Sequence, residues 1–292
     1  MSKSLTFRIA NISISIEGEV VESDLNIPSA YRLFVANGKV DIRLRLHREE
    51  PDIPFQEKVF ACPPVWTLFR HNGISIIKLF ATRPDLKRTL VLQPGIERAD
   101  LYFANGSDRF LDPFHGPTME LLLVNYLARG RGVIIHGCAV DLDGRGLLFV
   151  GESGAGKSTL ARMWDQEKGV EVLSDDRTIV RKQEDEYWMY GTPWHGEAQY
   201  GSPRALRLER IFFLRHGPDH SIKQITGIEA VSKFLTCSFP PYWNPQAMEF
   251  TMELFSDLTA HIPCEQLTFK PERSIVNLIE KTINQSPSGN LV

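Results

Sequence analysis

Apolar residues alternate with polar ones along the first hundred positions. Ile12, Ile14 and Ile16 are interleaved with Ser13, Ser15 and Glu17; Val40, Ile42, Leu44 and Leu46 are interleaved with Asp41, Arg43, Arg45 and His47. A two-residue period puts one set of side chains on each face of a strand, so these runs predict sheet with a buried and a wet face. Asn37-Gly38, Asn72-Gly73 and Pro94-Gly95 fall between the runs as turn signals. The pattern changes near residue 112. Met119 to Ala128 carries a dense apolar set that predicts a largely buried helix, stopped at Arg129-Gly130. Val133–Val140 reads as an apolar strand, Asp143-Gly144 as a hairpin turn, and Gly146–Val150 as a second strand. A glycine-rich loop follows, then a helix through Leu160–Trp164 and a strand at Val170–Leu173. Strand, loop, helix, strand is a βαβ unit and predicts a sheet with a parallel part. The chain therefore reads as an α/β protein, with a β-rich N-terminal domain over 1–111 and a second domain over 112–292.

The loop supplies the chemistry. Gly151-Glu152-Ser153-Gly154-Ala155-Gly156-Lys157-Ser158 satisfies G-x-x-x-x-G-K-[ST] at every fixed position, and it lies between a strand and a helix. Glycines let the backbone bend close to phosphate oxygens, and successive N–H groups at a helix start hold negative charge. Lys157 would reach the β- and γ-phosphates of ATP, and the Ser158 hydroxyl would ligate Mg²⁺; Thr159 extends the same nucleotide-binding segment. Ser174-Asp175-Asp176 comes just after the next strand, at the edge where α/β sheets place ligands. One carboxylate can hold Mg²⁺ and the other accept a hydroxyl proton, and neighbours on an extended chain point to opposite sides. His136 lies on the strand before the hairpin and comes close to the loop if the hairpin closes. Gly191-Thr192-Pro193-Trp194-His195-Gly196-Glu197 is a further cluster, in which Glu197 joins Ser158 and Asp176 as a metal candidate. Arg204, Arg207 and Arg210 recur every three residues, which would align them on one face of a helical turn.

Composition narrows the partners. Of 292 residues, 33 are Lys or Arg and 36 Asp or Glu, for a net charge of −3. That leaves no global basic field for nucleic acid. No apolar run reaches the length of a membrane helix, and the N-terminal residues lack the apolar core of a secretory signal. Four scattered cysteines suggest neither a zinc site nor a disulfide framework. The expectation is a cytoplasmic protein that binds neither nucleic acid nor membrane, with room left for a homo-oligomer.

His136-Gly137, the Asp143-Gly144 turn, the glycine-rich loop and Asp175-Asp176 stand in the order of the HPr kinase/phosphorylase catalytic domain, which this segment resembles over roughly residues 112–215. That family phosphorylates a serine of the phosphocarrier HPr. Its wider group includes serine kinases acting on peptide natural products and shares a P-loop core with phosphoenolpyruvate carboxykinase. The resemblance implies an ATP- and Mg²⁺-dependent kinase core after the β-rich domain. It implies that Lys157 binds phosphates and Ser158 the metal, that one of Asp175 and Asp176 is the base while the other assists Mg²⁺, and that His136 supports the reacting phosphate. The acceptor would be a hydroxyl, most simply serine, on a protein, peptide or small molecule. The rival class is a nucleotide-hydrolysing switch or assembly protein; a third is a binding module whose loop only holds a nucleotide.

Overall fold

The computed structural model describes residues 5–18, 25, 27–80, 87–104 and 111–285. The chain divides into two compact units, 1–130 with 241–248, and 131–240 with 249–292.

In the first unit, eight strands form one sheet: β1 (Leu5–Ile9), β2 (Ile12–Glu17), β3 (Ile42–His47), β4 (Glu57–Cys62), β5 (Trp66–His71), β6 (Ile74–Leu79), β7 (Arg88–Leu92) and β8 (Arg98–Phe103), in the order β1-β2-β3-β8-β7-β6-β5-β4. The two-residue period is visible in β3, where Ile42, Leu44 and Leu46 are buried while Arg43 and Arg45 are exposed. Asn72 and Gly73 both take positive φ in the β5–β6 hairpin, the geometry a type I′ turn requires. A short helix α1 (Ser29–Arg32) and a longer one, α2 (Thr118–Leu127), also belong to the unit. Residues 112–130 cluster with this sheet rather than with the second unit, so the compact boundary falls after Gly130 and not at 111/112. The physical reason is local. Phe114 packs edge-on against Phe7, 5.1 Å between ring centroids, and against Tyr31 at 4.5 Å. Buried Arg88 donates to the carbonyls of Asp112 and His115.

The second unit is an α/β layer structure. Its strands are β9 (Val133–Leu142), β10 (Arg145–Val150), β11 (Val170–Ser174), β12 (Arg177–Gln183), β13 (Glu186–Tyr190), β14 (Ala205–His216), β15 (Ser221–Gln224) and β16 (Cys264–Phe269), with helices α3 (Lys157–Trp164), α4 (Gly227–Thr236), α5 (Pro245–His261, which begins in the first unit) and α6 (Ser274–Gln285). Two long strands are shared between pairings. The first half of β9 pairs with β12 and its second half with β10 and β11. The start of β14 pairs with β13 and its remainder with β10 and β16, both in parallel. Both β10 and β11 run antiparallel to β9, on opposite sides of it, so they are parallel to each other with α3 as the crossover. Gly146 sits at the register shift between β10 and β14, where a Cβ would lie 2.1 Å from the Arg207 carbonyl oxygen.

Burial alternates along the central strands. Leu147 and Phe149 of β10 face a core with Leu160 and Trp164 of α3 and Ile275 and Ile279 of α6. Leu148 and Val150 face the opposite core with Phe234 of α4 and Phe255 and Leu258 of α5. Both faces of β10 are thus covered, which is why its sequence is a continuous apolar run. Segment 204–210 is extended rather than helical, which corrects the helical turn expected for its arginines. Arg204 reaches Asp141 and Glu171, Arg207 pairs with Glu186 at 3.0 Å, and Arg210 with Glu265 at 2.8 Å. Pairing of β14 to neighbours on both sides outweighs a weak local preference.

The Arg210–Glu265 pair is nearly closed to water, and one Glu265 carboxylate oxygen is buried without a partner. Glu265→Ala leaves a buried guanidinium uncompensated and should cost about 3–5 kcal/mol, whereas replacing both residues by apolar ones should cost far less. Urea unfolding of the two variants checks this; an equal loss in both would show that the pair is not the source.

Candidate functional site

The glycine-rich loop, Asp175-Asp176 and the end of β14 gather at the carboxyl ends of β10, β11 and β14. This is the edge at which an α/β sheet can take a ligand, because strand ends and helix starts there expose unpaired backbone groups. Loop 151–156 leads directly into α3, whose first residue is Lys157. Gly154 and Gly156 have φ of 80° and 95°. A Cβ on Gly156 would also lie 2.8 Å from the Phe269 ring, so glycine is needed there twice over. Lys157 is buried. Its ammonium donates to the carbonyls of Gly151 and Glu152, each at 2.8 Å, which folds the side chain back across the loop. Burial lowers the Lys157 pKa, and the nearby Asp176 carboxylate opposes that.

The two acids are adjacent in sequence and differ in role. Asp175 is fully buried. One carboxylate oxygen accepts the N–H of Gly196 at 2.9 Å and of Tyr200 at 3.3 Å; the other accepts the Ala198 N–H at 2.9 Å and the Ser158 hydroxyl at 3.3 Å. Asp175 therefore pins segment 196–200 and orients Ser158. Asp176 is partly open. One of its oxygens lies 2.9 Å from His136 Nε2 and the other 2.5 Å from Arg177 Nη1. Burial works against its charge, but the His136 hydrogen bond, then the Arg177 charge, outweighs it and holds the carboxyl below the usual aspartate range. β9 makes the meeting possible: His136 O accepts the Gly151 N–H at 3.3 Å, while Gly137 N–H donates to Asp176 O at 3.1 Å. The strand thus lies between the loop and the acids.

A cavity of about 240 Å³ joins these groups. His136, Asp176, Lys157, Ser158 and Thr159 line it, and Gly196 and Glu197 close one side. Of segment 191–197, Glu197 reaches the cavity wall, its carbonyl accepting from Arg162 at 3.1 Å. His195 is exposed, its ring 3.2 Å from the Gly196 carbonyl, and neither it nor Trp194 lines the cavity. Thr192 is buried and donates to the Arg177 carbonyl, and Gly191 sits where a Cβ would meet Ser202 O at 2.2 Å. Glycine and threonine in this segment therefore serve packing beneath the acids.

Sequence reasoning missed Arg177 and Phe239. The Arg177 guanidinium stacks 4.2 Å from the Phe239 ring centroid while it holds Asp176. Phe239 is carried on a stretch after α4 that binds β9 through an Ile135–Ser238 bridge, His136 N–H to Cys237 O at 2.7 Å and Phe239 N–H to Ile134 O at 3.0 Å. Arg177 had a signal, since it directly follows the acid pair. Phe239 had none, because no local period links it to residue 177. Burial pushes the thiol pKa of Cys138 upward and that of Cys264 to about 12, so neither is a nucleophile at neutral pH.

The cradle fits a polyphosphate: it has two left-handed glycines, a helix start and an ammonium held by carbonyls it can release. Among the described residues no group of three or more His, Cys, Asp or Glu could hold a metal ion. A divalent ion here would therefore be held by Ser158 and one or two carboxylates, with ligand oxygens and water completing its shell, as Mg²⁺ commonly is.

An HPr kinase/phosphorylase of Mycoplasmopsis pulmonis (strain UAB CTIP) is 30% identical to the chain over 107 residues, which is 37% of this chain and 31% of that protein. The match supports a relationship to HPr kinases. The chain spans about a third of the length of that relative. An HPr(Ser) kinase/phosphatase structure from Coxiella burnetii is 14% identical and covers 52% of this chain and 88% of its own, with a TM-score of 0.30. No protein-family model matches the chain. No helix among the described residues is long and apolar enough to cross a membrane.

Proposed function

We propose that the second unit is a P-loop kinase that transfers the γ-phosphoryl group of ATP to a hydroxyl, most simply a serine on a protein, peptide or small molecule. The carrying observation is the Asp176 carboxylate, held between His136 and Arg177 on the wall of the cavity that Lys157 and Ser158 also line. That carboxylate is placed to accept a proton from an attacking hydroxyl, and the fate of the γ-phosphate separates an acceptor hydroxyl from water.

Backbone N–H groups of residues 152–157 and the Lys157 ammonium hold the phosphate chain. Mg²⁺, held at Ser158 with Glu197 on the cavity wall, would supply neutralisation of the charge on the β- and γ-phosphates. Asp175 keeps Ser158 and segment 196–200 in place from behind. Asp176 takes the acceptor's proton: the acceptor O–H bond breaks, its oxygen bonds to the γ-phosphorus, and the bond from γ-phosphorus to the bridging oxygen breaks to release ADP. His136 and Arg177 fix the receiving carboxylate. Catalysis is then mainly positioning and charge stabilisation.

The test is incubation of the purified protein with γ-labelled ATP, Mg²⁺ and cell extract, with label followed separately in macromolecules, small molecules and free phosphate. The expected result is label on an acceptor, lost in Lys157→Ala. Release of free phosphate alone would favour the switch, and ATP binding without either product the binding module.

A further inference from the structure

A second cavity, of about 280 Å³, lies against the other side of the glycine-rich loop. Its walls are Gly151–Ala155, Arg215 and His216 at the end of β14, and Lys233, Thr236 and Cys237 in the last turn of α4 and just beyond. Ser153 and Gly154 line both cavities, so the two meet across the first arm of the loop. Lys157 does not line this one; its ammonium is tied to the carbonyls of Gly151 and Glu152.

Arg145, Arg204, Arg207, Arg210 and Arg273 each meet a carboxylate, as does Lys182. Arg215 and Lys233 share one cavity, and neither side chain has a hydrogen bond or ion pair among the described residues. Glu152 is the single carboxylate on the lining. His216 Nε2 lies 2.8 Å from the Gly154 carbonyl oxygen and so carries its proton there, adding a donor that ties β14 to the loop. The Thr236 hydroxyl is already given to the Lys233 carbonyl, which steadies the turn carrying Lys233. A guanidinium fork and an ammonium lining one hollow would form a receptor for an oxyanion, which accepts charge-assisted hydrogen bonds from both.

We propose that this cavity binds an oxyanion, a carboxylate or phosphate ester, carried by the phosphoryl acceptor. The proposal rests on the kinase reading, because the cavity flanks the loop arm that would hold the γ-phosphate. It narrows the acceptor to a hydroxyl compound or residue with a negative group close to the hydroxyl. On that reading the phosphates of the nucleotide would lie in the cavity lined by Lys157 and Ser158, leaving Arg215 and Lys233 for this task.

Calorimetry on the full chain tests it. The protein is first saturated with Mg²⁺ and a non-hydrolysable ATP analogue, which fills the phosphate cradle. Inorganic phosphate and succinate are then titrated separately, the first probing a phosphate group and the second a carboxylate. At least one should bind the loaded protein, and Arg215→Gln with Lys233→Gln together should weaken that binding about tenfold or more. Analogue affinity should change less than about twofold, since its charge contacts lie elsewhere. Both side chains are at least partly exposed, so circular dichroism should show the fold intact. The proposal is overturned if neither anion binds the loaded protein, if binding survives the double substitution, or if analogue affinity falls in step with it, which would give the cavity to the nucleotide. Failure of the analogue to bind the unaltered protein would instead overturn the kinase reading itself, and this proposal with it.

Discussion

Asp176→Asn is expected to reduce phosphoryl transfer by about 10²–10⁴-fold, the usual contribution of a positioned proton acceptor, while analogue binding stays within a few-fold. Asparagine preserves the size of the side chain and an acceptor oxygen but cannot take the proton. The substitution also removes the charge that the His136 and Arg177 contacts stabilise. Asp175→Asn should fail differently. Its carboxylate receives three backbone N–H groups and the Ser158 hydroxyl, so an amide NH₂ turned toward those donors would loosen segment 196–200 and lower stability as well as turnover. Transfer rates, analogue titrations and thermal unfolding of both variants separate the roles; equal loss of stability in the two would remove the distinction. The sign of the pH effect follows from the depressed Asp176 pKa. Its carboxylate remains charged through neutral pH, so stability that it contributes is present above its unfolded pKa and lost as pH falls through the folded one. The acid limb of activity should therefore lie below the ordinary aspartate range, and a limb near neutrality would implicate another group.

Lys157→Ala is expected to abolish detectable transfer and to weaken binding of the Mg²⁺-bound analogue by about tenfold or more, the scale of losing hydrogen bonds from a charged group. The ammonium is held by Gly151 O and Glu152 O. On reaching a phosphate the ammonium would exchange these carbonyl contacts for charge-assisted ones. The variant should fold. The aliphatic stem covers part of the loop, but the main apolar cores are built by Leu160, Ala161 and Trp164 further along α3 and by the strands. Calorimetry with the analogue and thermal unfolding check both halves. Full analogue affinity in a folded variant would exclude the loop as the phosphate site.

Local chemistry decided a good deal of this molecule. Asn72-Gly73 and Asp143-Gly144 marked hairpins because those residue pairs tolerate positive φ at little cost. Apolar runs at 133–140 and 146–150 marked the strands that became β9 and β10. The glycine-rich loop was legible because phosphate-binding backbone geometry needs particular residues at fixed spacing. Several features that depend on where elements meet were not legible. The alignment of Arg204, Arg207 and Arg210 suggested a helical turn, yet strand pairing on both sides of β14 overrode it. Residues 112–130 joined the first sheet through Phe114 and Arg88, contacts whose partners lie far away in sequence. The division of labour between Asp175 and Asp176 came from packing alone: two identical side chains, one turned inward to N–H donors and the other outward to His136 and Arg177. Residue type and spacing by themselves determined which chemistry the chain carries, since those are local constraints on backbone and charge. Only the tertiary structure decided which carboxylate faces the cavity and which cations remain unpaired beside it, because pairing is settled by residues brought together from distant parts of the chain.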